Sequence, residues 1–311
     1  MVEYDNKNWL ALLVTFNGSV IRSIISRIAI FTVVSAVIAG LHQRQIINLK
    51  DIPSTPWAVV GVALGLLLVF RTNTAYDRFW EGRKLWGEIT NQTRFLSMGI
   101  LAYLVPHPDT VAVQRRLINL LIAFPILTKQ RLRQIQDWQE VKPFLLPEDQ
   151  QCIEGANHSA LATLSLIATL LGQCAAQSLL TEQRLLILHP SLGELTRCLG
   201  GCERIRNTPL PIAYVLHLKR FLSLFCLTIS LPMVAAMGWW SILATALVSY
   251  AFIGVEEIGV EIEDPFGDDP NDLPLDKICT TIEQNLTELN RLAEVAESRG
   301  VDVELLSQNN Q

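Results

Sequence analysis

A chain of 311 residues that is 50% hydrophobic and 18% charged, with a mean hydropathy of +0.30, is too apolar for most soluble proteins and too polar to lie wholly in a membrane. Its formal net charge of −5 gives no basic excess for a nucleic acid backbone, and no nucleic acid partner is expected. What remains is a mixed protein, part lipid-facing and part water-facing.

The amino-terminal MVEYDNKNWL carries both signs of charge and does not read as a secretory leader; the first long apolar run begins only after Arg27. Four spans are expected, at 26–41, 52–70, 221–238 and 239–255, each near the ~17 to 25 residues that cross a bilayer as helix. Within the second, Val62, Leu66 and Phe70 recur every four residues and form one slowly rotating stripe on a helix. Gly61 and Gly65 add a small-residue patch beside it, where neighbouring backbones can approach closely. Periodicity alone leaves the stripe open between packing or lipid contact and the apolar wall of a passive pore. No acidic or basic residue lies inside the spans except at their ends, which speaks against the charged relay of a proton pump or ion-coupled carrier.

Immediately after Phe70 comes RTNTAYDRFWEGRKLWG, dense in charge and tryptophan. Its Arg71, Arg78, Arg83 and Lys84 are expected to pair with Asp77, Glu81 and Glu88 or to face an aqueous vestibule. The segment 71–220 reads as a cytoplasmic helical bundle forming one body with the spans, with apolar patches near 96–105, 117–127 and 159–176. The uncharged stretch 155–181 contains His158, Ser159, Ser165, Gln173 and Gln177, and is expected to be a buried soluble helix rather than a fifth span. Segment 71–220 holds 17 Lys and Arg against 12 Asp and Glu, so the positive-inside rule places it and both termini in the cytoplasm of a multi-pass cell-membrane protein.

The six cysteines fall in segments expected to be cytoplasmic or membrane-embedded, where structural disulfides are not expected; Cys198 and Cys202, four apart, read as small core residues. No G-x-S-x-G, HExxH, P-loop or G-x-G-x-x-G occurs, and the five histidines are scattered, so nothing marks an enzyme. Near the carboxyl end, residues 280–298 place Ile282, Leu286, Leu289, Leu292 and Val295 on one face, an amphipathic helix expected to lie on another subunit.

The stretch FRTNTAYDRFWEGRKLWGEI resembles the prokaryotic branch of the bestrophin family. The resemblance continues in GSVIRSIISR (18–27), CERIRNTPLPIAY (202–214), LKRFLSLFC (218–226) and GVEIEDPFGDDPNDLPLD (259–276), most of the chain in order. It implies an all-α polytopic membrane protein: four transmembrane helices per subunit, a cytoplasmic helical bundle at 71–220, an acidic turn and carboxyl-terminal helix at 256–311, and a homopentamer around one central pore. The second helix would leave the membrane without a break. Carried over by motif, the family's hydrophobic neck falls on Val62, Leu66 and Phe70, and its cytoplasmic aperture on Leu210. Small monovalent ions would pass, with chloride or a similar anion favoured by the positive middle segment. The 15 acids against three basic residues in 255–311 keep a cation-selective channel as the alternative, beside a secondary transporter or a non-conducting membrane scaffold.

Animal members of the family bind calcium in an acidic clasp at the place of IEDPFGDDPND, where Asp264, Asp268, Asp269 and Asp272 are the candidate oxygen donors. Pro270 and Asn271 interrupt the denser acidic run of those proteins. No cofactor is expected to be required, and the turn reads instead as a helix cap that docks the subunit on its neighbour.

Overall fold

The computed structural model describes residues 18–49, 52–104 and 108–298, and all regular structure among them is helical. The helices in chain order are α1 (Ile21–Gln43), α2 (Thr55–Tyr103), α3 (Pro108–Arg133), α4 (Trp138–Val141), α5 (Pro147–Glu154) and α6 (Ser159–Ala176). They continue with α7 (Glu182–Asn207), α8 (Ile212–Thr228), α9 (Ser230–Met237), α10 (Ser241–Glu261) and α11 (Leu275–Ser298). The described chain divides into two compact units, residues 18–81 with 207–273 and residues 82–206 with 274–298. Each buries its own apolar side chains.

The first unit is built from α1, the first half of α2, and α8 to α10. The expected span 26–41 lies inside α1, which buries Ile24, Ile28, Ser35 and Ala39 on one face and exposes Ile25, Ile30, Val33 and Val37 on the other. Small polar side chains seat α1 against α10: the buried Thr245 hydroxyl lies 3.2 Å from that of Ser35. The run from Ile212 to Glu261 is nearly continuous helix, yet it folds back on itself. Pro232 has no N–H to give the carbonyl of Thr228, and α8 stops there. Gly238 then takes φ +54° and ψ −126°, a backbone region open in practice to glycine alone, and a short 3₁₀ turn through Trp240 leads into α10. The reversal brings Thr245 within 3.8 Å of the Met233 sulfur, so α9 and α10 lie side by side. Trp239 and Trp240, both exposed, sit at the turn, as aromatic residues do at a membrane surface.

α2 runs unbroken for 49 residues, about 74 Å at 1.5 Å per residue, with no interruption at Phe70. The expected span 52–70 occupies its beginning. By length and composition five helical runs are apolar enough to cross a membrane: α1, α2, residues 110–133 of α3, α6 and the run Ile212–Glu261. Burial sets α3 apart, because 67% of its apolar window is covered within the chain against 22% for α1 and α2, while α6 and the run Ile212–Glu261 stand equal at 39%. A helix so covered has little surface left for lipid.

In the second unit α3 forms the axis. Leu117, Leu120, Leu121, Phe124 and Leu127 are fully enclosed, and α6 and α11 pack against it. The buried face of α6 carries Ala160, Thr163, Leu164, Ile167, Leu170, Leu171 and Cys174, while its other face is uncovered in the single chain. His158 caps α6 by accepting the Leu161 N–H at Nδ1, while its Nε2 lies 2.9 Å from Glu203, an arrangement that suits the Nε2–H tautomer. Cys198 and Cys202 are buried in α7, and burial pushes the Cys198 thiol up to about 11, as for an inert core residue. All six cysteines are free thiols; Cys152 is exposed and the other five are buried.

The carboxyl-terminal helix corrects one expectation. α11 lies on α3 of its own chain, with Ile282 and Leu286 fully buried, so the amphipathic face is covered from within at its first turns; Leu292, further along, is about half exposed. Polar links fix the register: the buried Lys129 on α3 reaches Glu140 and, at 2.8 Å, Asp276, which also accepts from Arg133 at 2.8 Å. Burial alone would raise the Asp276 carboxyl, but the hydrogen bonds from Lys129 and Arg133 outweigh it and hold the group below its ordinary 3.8. A carboxylate with a depressed folded pKa contributes stability above its unfolded pKa, and that contribution vanishes as pH falls through the folded value. Asp276→Asn is therefore expected to lower the melting temperature of the purified protein at pH 7 by the equivalent of about 1 kcal/mol or less, since the Asp276 side chain is 65% exposed. As pH falls from 7 to 3 the gap between variant and parent is expected to narrow; melts at the two pH values check this.

Candidate functional site

The membrane half of α2 has two unlike faces. On one, Leu64 and Leu68 enter a cluster with Ile24 and Ile28 of α1, Leu218, Leu222 and Phe225 of α8, and Ile253 of α10. Polar bonds pin the same side: Trp57 Nε1 donates to Thr228 Oγ1 at 3.1 Å, and the Tyr214 hydroxyl donates to the Leu67 carbonyl at 2.8 Å. Gly61 permits the close approach of α8, since a Cβ there would sit 3.3 Å from the Phe225 ring, whereas Gly65 faces open space.

On the other face the described residues leave the helix largely uncovered. Val62, Leu66 and Phe70 are 68%, 56% and 64% exposed, so the three residues singled out by spacing share one uncovered apolar strip. Two turns beyond Phe70 the same face carries Asp77, also exposed, an acidic position that the reading of the neck passed over.

Arg71, the first of the charges that follow Phe70, finds partners other than those expected. Arg71 is half a turn away from the strip, on the buried face with Leu68 and Ala75, and cannot reach Asp77 on the opposite side. Its guanidinium is 2% exposed and pairs with Glu256 of α10 at 2.5 Å, with Glu263 3.6 Å away. Glu256, itself 2% exposed, is a hub: Lys219 of α8 lies 3.1 Å from it and Arg27 of α1 3.7 Å, while Arg27 pairs at 2.8 Å with Glu257. One carboxylate thus draws cations from α1, α2 and α8 to the charged end of α10. Sequence signals existed, because Arg27, Arg71, Lys219 and Glu256 each border an apolar run.

Leu210 lies in the turn between α7 and α8, half-buried, just before Pro211. Its N–H donates to Glu263 Oε1 at 3.2 Å, and the Glu263 carbonyl accepts from Arg78 Nε at 3.0 Å; Arg78 also donates to the Thr208 carbonyl. Glu263 therefore ties the Leu210 turn to α2 just past its apolar strip.

The four aspartates of the acidic turn do not converge. Asp272 is buried and its Oδ2 accepts from the Asp269 N–H at 2.8 Å; Asp264 accepts from the Phe266 N–H; Asp268 and Asp269 are exposed. The turn thus holds no group of three or more His, Cys, Asp or Glu placed together as metal donors, and neither do the other described residues. Its carboxylates shape the loop instead. Asn271 closes it, donating to the Gly18 carbonyl at 3.1 Å and to Glu261 at 2.5 Å.

Residues 1–288 match the family described as Bacterial/Fungal Bestrophin protein. A voltage-dependent anion channel-forming protein of Nostoc sp. is 38% identical over 292 residues, covering 92% of this chain and 93% of that relative. The voltage-dependent anion channel-forming protein YneE of Escherichia coli is 33% identical over 296 residues, 95% and 96% of the two chains. A crystal structure of a bacterial bestrophin homologue from Klebsiella pneumoniae superposes with a TM-score of 0.79 at 30% identity, over 86% of this chain and 98% of that one.

Proposed function

The chain belongs to the bacterial and fungal bestrophin family, and from that membership we propose that it forms an anion-conducting membrane channel whose pore is lined by the uncovered strip of α2. The observation that carries the reading is the asymmetry of α2, packed on one side through Leu64, Leu68 and Arg71 and bare on the other at Val62, Leu66 and Phe70. A bare apolar strip on a helix that is otherwise well anchored invites copies of itself around an axis. In a homopentamer, five strips make a dry neck that gates by size and dewetting, and five Leu210 side chains make the second constriction. The four spans are α1, the first part of α2, α8 with α9, and α10, with both termini and the second unit in the cytoplasm. The partners are the lipid bilayer, chloride or a similar monovalent ion, and further copies of the chain.

Chloride is favoured because the relatives above are named as anion channel formers and because the ring edge of an exposed Phe70, positive in partial charge, suits an anion. A second reading, a monovalent cation channel, draws on one observation: Asp77 is exposed on the pore-facing side two turns past Phe70, and five such carboxylates would concentrate cations there. The sign is decided by the reversal potential of purified protein in bilayers under a potassium chloride gradient. We expect it near the chloride equilibrium potential, with Asp77→Asn moving it slightly further that way. A reversal at the potassium potential that Asp77→Asn pulls back supports the cation reading, and saturable exchange without unitary currents supports a carrier.

A further inference from the structure

A groove of about 310 Å³ opens between α1, α8 and α10 on the first unit. Its walls differ from end to end. Ile30 and Phe31 of α1, Leu222 of α8 and Ile253 of α10 line it with hydrocarbon, and Arg27 and Lys219 stand at its charged end. These are membrane-type helices, and the cations sit at the ends of their apolar runs, where hydrocarbon gives way to polar surroundings.

The charge at this end is positive where it can be reached. The lining has two cations against one carboxylate, Glu256, whose side chain is 2% exposed, while those of Arg27 and Lys219 are each 44% exposed. Both cations also keep donors in hand. Arg27 uses Nη1 on Glu257, leaving its Nε and Nη2 hydrogens, and Lys219 has three N–H groups with one carboxylate oxygen at 3.1 Å. Arg22 on α1 and Arg220 on α8, exposed and without an ion pair among the described residues, add to the positive potential beside them.

From this we infer that the groove binds one membrane phospholipid per subunit, its phosphodiester held by Arg27 and Lys219 and one acyl chain laid against Ile30, Phe31, Leu222 and Ile253. A free anion would use the cations and leave the hydrocarbon wall unfilled; a plain acyl chain would leave the spare donors unused. A phospholipid satisfies both ends. The site stands whether or not the α2 strip conducts, since it lies on another face of the unit and needs only the bilayer.

Native mass spectrometry of the purified full chain, with phosphatidylglycerol as the added probe, tests the site. One tightly retained phosphatidylglycerol per subunit is expected, against weak retention of diacylglycerol carrying the same chains. Arg27→Gln with Lys219→Gln should lower the apparent affinity about tenfold or more, and the oligomer mass in the same spectrum reports whether the variant is intact. Ser223→Trp, which fills the groove and keeps both cations, should displace the lipid as well. Equal retention of diacylglycerol and phosphatidylglycerol, or unchanged retention in both variants, overturns the proposal. So does disulfide capture of Ser223→Cys by an adjacent copy in native membranes, which would mean that a second chain covers the groove.

Discussion

Changing Glu256 to glutamine is expected to cost the protein about 3–5 kcal/mol, the usual penalty for breaking a buried ion pair from one side. The reason lies in Arg71, which is 2% exposed and has its 2.5 Å contact with Glu256, the partner at Glu263 lying 3.6 Å away. An amide leaves that guanidinium charged, dehydrated and poorly matched, and it also releases Lys219. Thermal denaturation of the purified protein in detergent, followed by loss of the native chromatographic peak, should show the fall directly. The double change Arg71→Met with Glu256→Leu should recover most of it, since two apolar side chains of similar volume leave no charge in the interior. Failure of the double variant to recover would show that the ion cluster does more than balance its own charges, for instance by holding α1, α2, α8 and α10 in register.

The second large effect concerns the strip. Leu66, the middle of the three neck positions, is 56% exposed in the single chain and so contributes little to its folding. Leu66→Ala is therefore expected to leave the melting temperature within a degree or two of the parent while raising ion flux in proteoliposomes about tenfold. A tenfold rise corresponds to a barrier lower by about 1.4 kcal/mol, a modest demand on five leucines shortened together around a dry constriction. Leu64→Ala, two residues before Leu66 but on the opposite, fully buried face of α2, is the control: it should destabilise by about 2–5 kcal/mol without opening the neck. If Leu66→Ala leaves flux unchanged while Leu64→Ala behaves as described, the strip faces lipid and the pore lies elsewhere.

The helices were legible because length and apolarity decide them locally. The runs at 26–41 and 52–70 could hardly be anything else, and the spacing of Val62, Leu66 and Phe70 grouped them on one face of α2, though only the fold shows that face to be bare. The partner of Arg71 was not legible, because Glu256 is 185 residues away and nearby acids were the natural guess. Helix geometry refutes that guess only once the buried face is known. The covering of α11 was half legible: its amphipathic pattern says that one face will be buried, and nothing local says whether the cover comes from the same chain. The acidic turn shows a similar limit. Four aspartates within nine positions suggest a cation, yet Asp264 and Asp272 spend oxygens on the backbone N–H groups of their own loop.

The distribution of thiols has a practical corollary. With Cys152 on the surface and the remaining five cysteines enclosed, the native protein offers a single ready attachment point for a maleimide dye. In an assembly labelled to saturation, the number of discrete photobleaching steps then equals the number of chains, so the stoichiometry can be read one molecule at a time without altering the sequence.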